Sequence, residues 1–199
     1  MSPFKKHLLL FLVLLASACT ASPPPDRFPE MTFTDRPRFL LEVAEVQVID
    51  QYQPPFKLPN IEHQVPVAPA KAVERWARDR LVAVGTSGTA IVTIKDARVT
   101  EASLRTTPGA RGLFTKDQAA RYDAVIEVSV EIKPGAGVTT ASALATARAE
   151  RSRTVPEDIT PNDLDRVHYE LVEATMRDLD AQLDANIRRF LVAYIRDIR

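Results

Sequence analysis

The residues best suited to chemistry are few and scattered. Past residue 18 there are two histidines, His63 and His168, and neither has a second histidine or a cysteine at metal-ligand spacing. A solvated or hydrogen-bonded imidazole is the expected state of each, and neither a metal nor another cofactor is expected. Glu157, Asp158, Asp163 and Asp165 gather where a helix should begin. Paired carboxylates can serve as general acid and base, but acids at a helix N-terminus are also stabilised by the helix dipole. A periplasmic hydrolase working through Asp and Glu is therefore the alternative reading. It requires a concave site holding at least two of its acids. No Gly-x-Ser-x-Gly turn occurs, and Gly85-Thr86-Ser87-Gly88 lacks the lysine of a phosphate loop, so it reads as a plain turn. Two arginine groups remain as candidate contacts to a partner. Arg75 and Arg78, with Arg80, flank Trp76; Arg148 and Arg151, with Arg153, lie in a later segment. Guanidinium groups so placed suit phosphate or carboxylate recognition. Ordinary ion pairs, such as Glu74 with Arg78 four residues on, are the plainer account.

The single cysteine stands apart. Lys5 and Lys6 precede an unbroken apolar run, Leu8 to Leu15, which is followed by Ala16, Ser17, Ala18 and Cys19. The run is too short to span a bilayer, which takes roughly 20 apolar residues. Its flanks are those of an export signal. The segment resembles the bacterial lipobox, in which a cysteine after small residues is acylated and becomes the new N-terminus. That resemblance implies removal of residues 1–18 and lipid attachment at Cys19. It also implies outer-membrane sorting on the periplasmic side, because Thr20 and not Asp follows the cysteine. Ala16 stands where the family usually has Leu. An ordinary secretory cleavage, after Ala18 or after Ala21, fits the same residues.

Composition bounds the rest. The chain has 199 residues, 45% hydrophobic and 26% charged, as for one globular domain. Removing Lys5 and Lys6 with the signal leaves 24 basic and 26 acidic groups. That balance gives no bulk attraction to nucleic acid, which requires clustered positive charge. One cysteine excludes an internal disulfide.

The elements that must position these residues follow from periodicity. Residues 19–37, rich in Pro, Ser, Thr and Asp, read as a flexible tether, and 38–199 as a single domain. Arg38 to Ile49 predicts a strand with a phase slip near Ala44-Glu45. Residues 50–68, with five prolines between 54 and 69 bounding them, predict a long connection. Pro69 to Val84 predicts a helix stopped by Gly85. Gly88 to Thr100 predicts a strand. Arg121 to Ile132 alternates strictly, with Tyr122, Ala124, Ile126, Val128, Val130 and Ile132 on one face. After a turn at Pro134 to Gly137, Val138 to Arg151 alternates with alanine, which lets a helix approach the sheet closely. Thr160, Pro161 and Asp163 predict the cap of a final helix reaching residue 197, about 55 Å long. Such a helix overhangs a strand of ordinary length or breaks.

The expected fold is α+β, a two-layer sandwich. A four-stranded, mostly antiparallel sheet carries two helices on one face, in the order strand, helix, strand, strand, strand, helix. With the lipobox, that layout resembles small outer-membrane lipoproteins of proteobacteria, among them auxiliary lipoproteins of lipopolysaccharide assembly and lipid transport. Trp76-Ala77-Arg78-Asp79-Arg80 and Ala147 to Val155 add to the likeness. It implies a non-enzymatic, membrane-anchored module with a protein or lipid partner in the envelope.

Overall fold

A computed structural model describes residues 28–104, 118–135 and 141–196. The export segment, Cys19 and the first part of the tether lie outside the described residues. The chain forms β1 (Phe39–Leu41), β2 (Glu45–Asp50), α1 (Pro69–Arg80), β3 (Leu81–Ala83), β4 (Thr89–Ser103), β5 (Gln118–Lys133), β6 (Ala143–Pro156) and α2 (Pro161–Phe190). A 3-10 turn, Val192–Tyr194, follows. The main sheet runs β2-β4-β5-β6, with β2 parallel to β4 and the other pairings antiparallel. The helices form the second layer, α1 against β4 and β2, α2 against β6 and β5. This is the expected α+β sandwich.

The alternation in β5 does what its period dictates. Tyr122, Ala124, Ile126, Val128, Val130 and Ile132 are all buried. Leu171, Val172, Met176, Leu179, Leu183 and Ile187 of α2 are buried with them in one core. Burying each large side chain stabilises the fold by roughly 1.5–3 kcal/mol. Ala145, Ala147 and Ala149 of β6 are buried as well. Their small size lets α2 lie close enough for Asn186 to reach the Thr146 carbonyl at 2.7 Å.

Several expectations need correction. The phase slip near residue 44 is no bulge: the chain leaves one sheet and enters another. β1 pairs in parallel with β3, and β2 joins the main sheet through β4. The first helix stops at Arg80, four residues early. Leu81-Val82-Ala83 is extended because its backbone is claimed by β1. The last helix stops at Phe190, not 197. Ile195 bridges Leu41, and the Glu42 N–H donates to the Tyr194 carbonyl at 2.8 Å. Leu191 and Tyr194 are buried there, so the chain itself covers these residues. Nor does α2 overhang. Its 30 residues span about 45 Å, and the 16 residues of β5 reach roughly 53 Å. Unusually long strands match the long helix.

The tether is also shorter than expected. Residues 28–37 are packed on the helices: Met31 and Phe33 are buried, and Phe28 stacks on Tyr169 at 5.1 Å. The connection 51–68 has a structural task too. Beyond the end of β2 it covers the edge of β4, with the Ile61 N–H donating to the Val99 carbonyl and the Glu101 N–H to the Pro59 carbonyl, both 2.8 Å.

Gly85 sits where two backbones meet. A Cβ there would lie 2.6 Å from the Glu42 carbonyl carbon and 2.7 Å from the Val43 nitrogen. Backbone cannot yield as a side chain can. Gly85→Ala is expected to destabilise the protein by about 1–3 kcal/mol in urea unfolding. An unchanged midpoint would contradict this packing.

Candidate functional site

The strongest convergence of polar groups lies between residues 28–37, α1 and α2. Trp76 and Arg80 stand one turn apart on the buried face of α1, and Asp180 and Asp184 one turn apart on α2. The Trp76 indole N–H donates to Asp180 Oδ1 at 2.8 Å, and Arg80 Nε donates to the same oxygen at 3.0 Å. Arg36 Nε meets Asp180 Oδ2 at 3.1 Å. One terminal nitrogen of Arg80 donates to Asp184 at 2.5 Å and the other to the Pro37 carbonyl. The Arg80 guanidinium also stands 5.0 Å over the Phe39 ring, and that of Arg188 4.9 Å. Arg80 has no exposed side-chain surface, yet all three of its nitrogens have acceptors. Burial pushes the Asp184 carboxyl up, but the Arg188 and Arg80 bonds outweigh it and hold the group below its ordinary value.

Beside this network is a cavity of about 420 Å³, bounded by residues 29–33, Asp35 and Arg36 and by Tyr169, Glu173, Met176, Arg177 and Asp180 of α2. Its acids include Glu30, Glu173 and Asp180. Glu30 is paired with Arg75, Glu173 with Arg177 at 3.4 Å, and both oxygens of Asp180 are engaged as described. Three of the four carboxylates on this wall thus serve as partners for arginines; the fourth, Asp35, is exposed. Among the described residues no group of three or more His, Cys, Asp or Glu is placed to hold a metal ion.

A second recess, about 180 Å³, lies beneath the connection 51–68, bounded by Tyr52, Pro54, Phe56, Glu62, Pro69 and Ala97 among others. Glu62 is buried and fastens the segment. It accepts the Tyr52 hydroxyl at 3.0 Å, the Asn60 amide at 3.4 Å and the Val99 N–H at 3.4 Å. Burial first, then the Glu62 carboxylate, pushes the Tyr52 phenol up. Above it, Phe56 is held at φ +55°, a conformation disfavoured for a bulky residue, with 67% of its surface exposed. Leu58 is 71% exposed two residues on.

The arginines singled out from sequence do not form one patch. Trp76 is fully buried and meets no solvent, so it cannot touch a partner directly; its indole belongs to the Asp180 network. Arg75 pairs with Glu30 and lies 3.7 Å from Asp79, while Arg78 is exposed. Arg148 is on the sheet face opposite the helices, 3.0 Å from Glu150 and 3.9 Å from Glu127. Arg151 is on the helix side, bonded to Asp178 at 2.5 and 2.9 Å. That pair holds the Asp178 carboxyl below its ordinary value. The α1 and β6 sets lie over opposite halves of the sheet. Sequence reasoning missed Arg36, Asp180 and Asp184, and read Arg80 as surface. A signal existed for Arg80, four residues past Trp76 on the apolar stripe.

Of the carboxylates at the start of α2, Asp163 takes part in the cap. The Asp163 N–H donates to the Thr160 hydroxyl oxygen at 3.2 Å, and that hydroxyl donates back to the Asp163 carboxylate at 2.6 Å. His63 is exposed beside Gln64. His168 is buried, edge-on to Tyr122 at 4.5 Å, and neither ring nitrogen has a partner among the described residues. Burial lowers its pKa against the opposing charges of Asp165 and Glu101. No protein-family model matches this chain, and no curated protein matches it significantly.

Asp180→Ala leaves Arg80 partly unpaired and should cost about 3–5 kcal/mol in denaturant unfolding. Trp76→Phe, which loses one charge-assisted bond, should cost less, roughly 1.5–3 kcal/mol. Asp180→Ala costing under about 1 kcal/mol would remove the network from the account of stability. For His168 the folded-state pKa lies below the unfolded value, so the unfolded chain takes up its proton first as pH falls. Stability is retained above the ordinary imidazole value of about 6.5 and declines below it, down to the folded-state pKa. His168→Phe keeps a ring against Tyr122 and should flatten that decline; an identical pH profile in the two proteins would refute this source.

Proposed function

We propose that this chain is a membrane-anchored lipoprotein of the bacterial cell envelope, held by acylated Cys19 on the periplasmic side of the outer membrane. Its folded domain is a non-enzymatic binding or assembly module for a protein or lipid partner. The observation that carries the reading is the position of the solitary cysteine, directly after Ala16-Ser17-Ala18 at the end of a lysine-led apolar run. Among the described residues, no helix is long and apolar enough to cross a membrane. Attachment in this reading therefore rests on the lipid.

Packing of residues 28–37 adds a distance. Eight residues separate Cys19 from Phe28, and fully extended they and their flanking bonds reach roughly 30 Å. The domain is thus kept near the bilayer, with the Phe28–Tyr169 contact marking the end that is leashed. For the partner, Phe56 and Leu58 offer apolar surface at the tip of a segment fastened from beneath by Glu62. An exposed apolar tip on a braced segment suits a protein or lipid contact.

Cys19→Ala should move the protein from the membrane pellet to the soluble periplasmic fraction; unchanged fractionation would end the lipoprotein reading. In the same strain, crosslinking to a specific envelope protein or lipid should be lost in Phe56→Ser/Leu58→Ser. Crosslinks unaffected by that change would exclude the tip as the contact.

A further inference from the structure

The two edges of the main sheet are treated differently. β4 is covered by β2 and, beyond it, by residues 59–61. β6 is the other edge, and it runs 14 residues with no further strand beside it among the described residues. Open edges of this length pair readily with another chain unless a proline, a bulge or inward charge blocks them. Here the only proline is the last residue, Pro156, the pairing with β5 runs unbroken from Ile132↔Ala143 to Ala120↔Val155, and the helix-side Arg151 is half-exposed and already paired with Asp178.

We propose that β6 is the contact between two copies of this chain, joined antiparallel about Ala149 into one continuous eight-stranded sheet. The argument is charge register. The Thr146 carbonyl accepts the Asn186 amide and not a β5 N–H, so the even-numbered residues of β6 turn their N–H and C=O groups outward, and the second lone pair of that carbonyl is left for a partner strand. An antiparallel partner centred on Ala149 sets Arg148 against the partner's Glu150, and Glu150 against the partner's Arg148, as hydrogen-bonded neighbours. The same register sets Thr146 against Ser152, and Arg151 and Arg153 against Ala147 and Ala145. No like charges are opposed anywhere along it. Moving the centre one residue either way sets Arg148 against Arg148 or Glu150 against Glu150. Centres at Arg151, Ser152 or Arg153 oppose arginine to arginine. Centres at Thr146 or Ala147 oppose no like charges but bring no opposite ones together; since like charges directly opposite are destabilising and opposite ones favourable, charge favours the register about Ala149. A two-fold contact is self-complementary by construction, and Arg148-Ala149-Glu150 is self-complementary under that operation. Arg148 and Glu150, now 3.0 Å apart within one strand, would gain each other's counterparts across the seam.

The test uses the full chain in a density-matched detergent, with micelles in excess over protein, read by sedimentation equilibrium. Wild type should show a concentration-dependent dimer. Arg148→Glu alone and Glu150→Arg alone each set like charges across both halves of the seam, and should raise the dissociation constant on the order of ten-fold or more. An equimolar mixture of the two variants should form a heterodimer at least as tight as wild type, which only opposed Arg148 and Glu150 explain. As a second measurement that needs no variant, amide exchange at Arg148 and Glu150 should slow as protein concentration rises. Wild type remaining monomeric would overturn the proposal. So would a dimer indifferent to either variant, or a mixture that does not associate.

Discussion

Arg80 is the constraint around which the molecule is arranged. A guanidinium without exposed surface is tolerable only if its nitrogens are answered and its charge balanced. The answers come from four groups on three elements: Asp180 and Asp184 on α2, the Pro37 carbonyl on the N-terminal segment, and the ring of Phe39 on β1. None of these can move without stranding the cation, so the two helices, the N-terminal segment and β1 are mutually fixed. The consequence spreads outward. β1 receives β3 on one side and Ile195 on the other, so the small sheet and the chain's end are located by the same group.

How much of this was legible depended on the range of the interaction. The alternation of β5 and the alanine phase of β6 report burial, which is local, and the buried faces of both strands are the ones period two gives, although β6 runs Ala143–Pro156 and not from Val138 to Arg151. The cap of α2 is local too, written in Thr160, Pro161 and Asp163. Boundaries set by a distant partner were not readable. Leu81-Val82-Ala83 continues the helical stripe, and only pairing with β1 makes it extended. Val192 to Ile195 likewise continues the stripe of α2 and is drawn off to Leu41. The proline content of residues 20–37 reads as extension, and it hides that Met31 and Phe33 supply two apolar anchors.

The candidate site was less legible than the fold, for a chemical reason. Arginine has the same letter in every role. Arg75, Arg78 and Arg80 lie within six residues, yet one is half-shielded and paired, one exposed and one fully buried. Helix phase alone separates them: Arg80 shares the face of Trp76, and Arg78 does not. Arg148 and Arg151 show the strand version. Their odd separation puts them on opposite faces of the sheet, so closeness in sequence sets them apart in space. The Asp180 network was beyond reach altogether, since its partners are about a hundred positions apart.

The connection 51–68 shows that an irregular segment need not be a loose one. Its Glu62 is buried with three donors, and its backbone completes the edge of β4. Such bracing is what a disfavoured backbone at Phe56 requires, because a residue in the left-handed region persists only where its surroundings over-determine it. Yet the side chain so held is mostly exposed. A segment stabilised only for its own sake would turn that ring inward or place glycine at the strained position. Rigid support beneath and apolar surface above is instead the arrangement expected where a surface is kept ready for contact, with its ordering cost already met in the free protein.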